Sequence, residues 1–300
     1  MQIFGTLSVL SNTQLRARSI YVAESGTLKI GSAESPATNV RVHLEHSDCE
    51  AVADVLKADC LRDGQLVSLG TLLVHGVPKT PWSTLAATAP AGSASIVVEE
   101  CDGWVVGDRL VVAPTGGEAL SYTAVINYGT PSPLANYEAE ERAIAAVSEN
   151  LSGCTVTLDA PLAHRHRGEM VHGVVPIHAE VANLDRSIVF TGPPLHWREV
   201  EKPIRGGQGI TTVQAGGGLM VMEWARVERC GRVALGQYCV HLHLVGKCAS
   251  CAVRGVVVDG GVNKGITIHG THDATVEENV VYDLRGASIY VEDGNEVGNL

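Results

Sequence analysis

Aromatic residues are scarce in this 300-residue sequence. They make up 4% of it, and only two are phenylalanine. A core built on large rings is therefore excluded, and packing has to rest on branched aliphatics. Basic residues are also short: Lys and Arg number 22 against 33 Asp and Glu, for a formal net charge of −11. That balance argues against nucleic acid as a partner, because no bulk field attracts phosphate. No run approaches the roughly 18 apolar residues of a membrane-spanning helix, so a membrane span is absent from this chain. Met1 leads straight into Ile3-Phe4-Gly5, without the basic start or cleavage pattern of a signal peptide. Long helical patterns are few. The best is 48–61, where Val52, Val55, Leu56 and Leu61 approximate a helical face.

What is present is valine, 33 glycines and many short alternating segments, which together predict a mainly β chain with tight turns. The eight cysteines (Cys49, Cys60, Cys101, Cys154, Cys230, Cys239, Cys248 and Cys251) suit an extracellular chain with a few disulfides, or buried thiols. On a continuous helix Cys49 and Cys60 would lie about 16 Å apart, too far to bridge each other. Cys248-Ala249-Ser250-Cys251 has no second CxxC to complete a zinc site, so it reads as a loop disulfide or core thiols. The run His164-Arg165-His166-Arg167 is the strongest local basic signal, either a solvated turn or an anion contact.

The most informative stretch is 238–300. Val240-His241-Leu242-His243-Leu244, Ile266-Thr267-Ile268-His269 and Ile289-Tyr290-Val291-Glu292 recur at intervals of 26 and 23 residues, followed by Gly246, Gly270 and Gly294. Short strands at that period predict stacked coils with parallel pairing. Side chains at i and i+2 share a strand face. Val240, Leu242, Leu244, Ile266, Ile268, Ile289 and Val291 are thus expected inward, and His241, His243, His269 and Glu292 outward. In-register stacking would align His243, His269 and Glu292 in a column at roughly 4.8 Å per step. One coil earlier, Glu223 is a candidate for the same column. The stack reads as cut at both ends, a piece of a longer protein.

At this point the residues resemble a known family. Gly26-Thr27-Leu28-Lys29-Ile30-Gly31, the run 64–76, the run 81–100 and Trp104-Val105-Val106-Gly107-Asp108 are similar to the G-eight domain, an extracellular module. The runs 179–192, 237–246, 265–283 and 290–296 resemble the right-handed parallel β-helix that follows it in hyaluronan-degrading and fibrocystin-type proteins. The implied fold is a G-eight module over 1–168 packed on a right-handed, pectin-lyase-like parallel β-helix over 169–300, each incomplete at one end. The implied setting is extracellular, or the ectodomain of a membrane protein. The implied partner is a polysaccharide of the glycosaminoglycan type, and the implied cofactor is calcium. Gly286-Ala287 stands where the hyaluronan-degrading relatives carry Gly-His.

The resemblance implies His241, His243, His269, Glu292 and Asp293 as catalytic candidates. Imidazoles there could ligate a metal, exchange protons or hydrogen-bond a sugar, and could equally form a polar ladder. Glu292 and Asp293 could act as an acid or bind a cation, or simply shape the Asp-Gly turn. Tyr238 and Tyr290 are candidates for stacking on sugar. Arg226 and Arg285 are candidates for pairing a uronate, with Glu228 or Glu278 as the alternative partners. Two functions follow: a polysaccharide depolymerase, hydrolase or lyase, and a non-catalytic adhesion or receptor module.

Overall fold

The computed structural model describes residues 1–45, 63–115, 138–150, 153–193, 209–232 and 234–300, and among these every regular element is a strand. The helix expected over 48–61, with Cys49 and Cys60, lies outside the described residues. The chain divides into two compact units, 1–77 joined with 186–300, and 78–185. The units do not follow the 168/169 boundary read from the sequence. Gln65–Ser68 pairs in parallel with Thr211–Ala215, and Thr71–His75 with Leu219–Glu223. Backbone hydrogen bonding thus makes the first 77 residues coils of the same stack as the last stretch, and 78–185 is an insertion within one coil, between its strands Thr71–His75 and Ile188–Thr191.

The first unit is a parallel β-helix with three faces. One face stacks Gln2–Ile3, Ser19–Val22, Gln65–Ser68, Thr211–Ala215, Val240–Lys247 and the end of Val257–His272, followed by the end of Val280–Val291. A second runs from Thr6–Val9 through Thr71–His75 and Leu219–Glu223 to Ala252–Arg254 and Thr275–Glu277. A third joins Gln14–Ala17, Val40–Leu44, Ile188–Thr191 and Ala225–Cys230 to the start of Val257–His272. The inward side chains are mostly valine, leucine, isoleucine and methionine, with Phe190 the one large ring in that buried cluster. Gly286 (φ 147°) takes a backbone conformation open to glycine, where a side chain would run into the Asn263 carbonyl of the coil below.

Most of the predicted alternation is present, with three exceptions. Leu244 was expected inward and is exposed, because its φ is +52° and the register shifts between His243 and Gly246, which turns the side chain outward. Ile289 and Val291 pair in register with Ile266 and Ile268 but stay about half exposed, since no further described strand covers them. Cys248–Cys251 and Cys230–Cys239 are disulfides in this unit. For Cys248-Ala249-Ser250-Cys251 the loop-disulfide reading holds. Among the described residues no cysteine is free, as suits an oxidising compartment.

The second unit is a six-stranded antiparallel sheet, in the order Ser95–Val98, Gly153–Leu158, Glu140–Asn150, Arg109–Val112, Glu180–Asn183 and Trp82–Thr84. Trp104, Leu110, Ile144 and Val156 are among its core residues, and Cys101–Cys154 clasps it. Of its His164–Arg167 run, His166 turns inward and Arg165 stays exposed. His166 is fully buried between the Ala113 carbonyl (2.9 Å) and Glu140 (3.0 Å), while Arg165 pairs with Glu169. Glu140 also accepts from the Ala163 and His164 amides and from Arg142. Burial alone would raise its pKa. The two amides, His166 and Arg142 outweigh that and hold it at about 2.

Two outcomes are expected from this packing. Phe190→Ala should cost about 3–5 kcal/mol in urea unfolding, as for other buried large-to-small changes at a ring. Because the folded pKa of Glu140 is depressed, its contribution is present above pH ~4.5 and is lost as pH falls toward 2. The stability gap between wild type and Glu140→Gln, read from thermal melts, should therefore be full at pH 6 and shrink steadily below pH 4. An unchanged gap at pH 3 would contradict the assignment.

Candidate functional site

Val240 and Ile266 point into the core, and Ile289 continues their row, so the outward positions of these three coils fall in register. His243 lies opposite His269, Thr267 opposite Tyr290, and the Glu292 amide bonds the Ile268 carbonyl at 2.9 Å. The pairing is parallel, and His243, His269 and Glu292 stand on one wall as neighbours. His243 Nδ1 is 3.0 Å from His269 Nδ1. His269 Nδ1 lies 3.5 Å from Glu292 Oε2, and its Nε2 lies 3.3 Å from Asp293.

His241 belongs to the same cluster but is only 1% exposed. It was expected outward in the open. It is instead roofed by neighbouring rings, with centroids 4.7 Å from Tyr238, 4.8 Å from His243 and 5.9 Å from His269. Its Nδ1–H donates to the Gly236 carbonyl at 3.1 Å, which leaves Nε2 as a bare lone pair. That lone pair faces Glu292 Oε2 at 3.8 Å, and neither atom has a hydrogen-bond partner. Burial, then the nearby His243, push the His241 pKa down to about 4, against a smaller upward pull from Gly236 and Glu292. His243 is lowered as well, by burial first and His269 second.

Tyr238 is fully buried, so it is no platform for a sugar ring. Its hydroxyl donates to Glu292 Oε1 at 2.9 Å, and the same hydroxyl accepts from Lys264 at 3.1 Å. Lys264 was missed from the sequence. Its ammonium sits 3.4 Å from Glu292 Oε1, 3.6 Å from the centre of the Tyr290 ring and 4.5 Å from that of Tyr238. Burial opposes its charge, but Tyr238 and Glu292 more than offset this and raise its pKa. For Glu292 burial acts to raise the pKa, and Tyr238 and Lys264 reverse it to a net lowering. A signal for Lys264 was available: it is two residues before Ile266, as Tyr238 is before Val240, and it pairs in register with Ala287.

The remaining candidates fall elsewhere. Arg226 is buried on the third face, bound to Glu228 at 2.7 Å. Arg285 lies opposite Val262, on the stretch that precedes the Ile266–Ile289 row. Glu223 is on the second face, between His75 (3.0 Å) and Arg254 (3.4 Å), because Ala215 and not Glu223 precedes His243 in the column. A Glu223–Glu292 carboxyl pair is thereby excluded. A cavity of about 620 Å³ among the turns lined by Gly216, Gly217, Gly218 and Cys248 holds none of the clustered rings.

As a cation site the cluster is rich in nitrogen. Calcium takes six to eight oxygens. The carboxylates contacting the histidines are Glu292 and Asp293, and nearby Glu296 is engaged by the Gly270, Asp293 and Asn295 amides. These residues do not fit calcium.

Residues 1–86 match the G8 domain, and residues 207–300 match the CEMIP beta-helix. The chain therefore carries a G8 match at its start and a CEMIP beta-helix match at its end. Among its relatives is mouse Fibrocystin-L, 30% identical over 97% of this chain and 7% of that protein. Others are a G8 domain-containing protein of Dictyostelium discoideum, at 28% over 78% and 18%, and human Cell surface hyaluronidase CEMIP2, at 26% over 68% and 14%. The chain thus spans less than a fifth of each of these relatives. Among solved structures, the tailspike of Pseudomonas phage phi297 is similar at 14% identity and a TM-score of 0.26, over 90% of this chain and 40% of that one.

Tyr238 is the strut beneath the cluster. Tyr238→Phe should lower stability by about 1–3 kcal/mol, since it strips a partner from a buried, charge-assisted bond. Chemical denaturation checks this, and a variant as stable as wild type would mean the hydroxyl carries no load.

Proposed function

We propose that this chain is an extracellular polysaccharide-binding module, and that its ligand is an acidic, hyaluronan-type glycosaminoglycan laid along the wall of Tyr290, Lys264, His243 and His269. One observation carries the reading: a protonated lysine held against the face of a part-exposed tyrosine, beside a row of imidazoles on successive coils. A tyrosine ring presents an apolar face to a sugar, the ammonium pairs with a uronate, and imidazoles bond hydroxyls. The repeat of an acidic polysaccharide is extended, as the wall is. The relationship to a protein named as a cell surface hyaluronidase supports the same ligand class.

Binding without turnover is the reading favoured over catalysis. A glycosidase needs two carboxyl groups about 5 to 9.5 Å apart across the bond. Glu223, the second carboxylate considered for that role, lies on another face, engaged by His75 and Arg254. The proposed activity therefore resembles that of an adhesion or receptor module. Proton abstraction by neutral His243 is the catalytic alternative, supported by the burial that keeps its pKa low.

Calorimetry with size-defined hyaluronan oligomers tests the proposal. Wild type should bind, Lys264→Ala and Tyr290→Ala should each weaken binding about tenfold, consistent with roughly 1.4 kcal/mol per lost contact, and added salt should weaken it further. Oligomer length should be unchanged after prolonged incubation. Absence of binding by wild type would overturn the reading, and shortened oligomers would replace it with the depolymerase.

A further inference from the structure

We propose that the chain binds one divalent first-row transition ion of the zinc class, through His241 Nε2, His243 Nδ1, His269 Nδ1 and Glu292 Oε2. This does not depend on the polysaccharide reading. The three histidines each bring a ring nitrogen within 4.8 Å of the others. Two imidazole nitrogens bound to one ion at about 2.0–2.1 Å sit roughly 2.9–3.4 Å apart. The 3.0 Å between His243 Nδ1 and His269 Nδ1 is that spacing.

The second argument is the pair of orphans. His241 Nε2 and Glu292 Oε2 are buried atoms without hydrogen-bond partners, and they face each other. With Nδ1–H committed to Gly236, both are acceptors, and no proton lies between them. Two lone pairs aimed at one point are costly unless a cation stands there.

The third argument is the outer shell. Ligating histidines donate their other N–H to a carbonyl or carboxylate, and ligating carboxylates are held at their second oxygen. His241 uses Gly236, His269 lies against Asp293, and Glu292 Oε1 is held by Tyr238 and Lys264. Three imidazoles with one carboxylate suit zinc, cobalt or nickel over calcium or magnesium.

The test uses tag-free protein stripped with a chelator and dialysed. Titration with zinc chloride should show one ion per chain. Cobalt(II) should give the visible absorption of a nitrogen-ligated, low-coordinate ion, and millimolar calcium should not displace it. His243→Ala and His269→Gln should weaken zinc binding roughly 100-fold or more, since loss of outer-shell partners alone costs 10- to 100-fold. His164→Ala, outside the cluster, should bind as wild type does. As a readout independent of the variants' folding, zinc should raise the melting temperature of wild type and chelator should reverse the rise. Wild-type protein that takes up no ion, or whose melting temperature ignores zinc, overturns the proposal. So does binding that survives unchanged in folded His243→Ala.

Discussion

Slanted hydrogen bonds between parallel strands tie each coil to the next, and this ladder is what every feature of the wall depends on. It sets His243 over against His269, Thr267 against Tyr290 and Lys264 against Ala287. A slip of one residue would invert every side chain, sending imidazoles into a core of valine and isoleucine. The aliphatic interior therefore specifies the polar exterior. Val240, Leu242, Ile266 and Ile268 are buried, and their alternation leaves the intervening positions, His241 and His243 on one coil and Thr267 and His269 on the next, for the polar wall.

Given that register, the cluster is an arrangement of acceptors with few donors. Glu292 is divided, one oxygen held by Tyr238 and Lys264, the other without a hydrogen bond beside His269 and His241. His241 is divided in the same way, with Nδ1 on the Gly236 carbonyl and Nε2 facing Glu292 without a hydrogen bond. Burial keeps His241 and His243 from solving the problem by protonation, since a charged ring there loses its water. Lys264 neutralises one side of Glu292 and lies against the Tyr290 ring. The deficit of donors is what a metal ion would relieve, and the part-buried lysine–tyrosine edge is what the proposed uronate would meet.

Much of this was legible in the sequence. The intervals of 26 and 23 residues gave parallel coils, and alternation put three outward residues in one column. What alternation could not show was depth. His241 was assigned to the open face, yet the rings of Tyr238, His243 and His269 close over it. Leu244 obeyed the period in sequence but falls on a left-handed residue at a shift in register. Glu223 failed because it sits before the turn into the third face, a change of face that local pattern does not mark. Lys264 was overlooked because the strand was taken to begin at Ile266, whereas pairing extends back through it. The unit boundary was hidden for a topological reason: strands before residue 77 pair with strands after 210, and no local signal announces a partner so far along the chain.

The central claim is that register brings side chains 54 residues apart into one network. A double-mutant cycle on Tyr238 and Glu292, using Tyr238→Phe and Glu292→Gln with unfolding free energies, tests it most directly. Contacting residues in a shared network show coupling of about 0.5–3 kcal/mol, while distant sites are additive within roughly 0.5 kcal/mol. The account predicts coupling for Tyr238 with Glu292 and additivity for Tyr238 with Glu223→Gln on the other face. Additivity in the first cycle would contradict it.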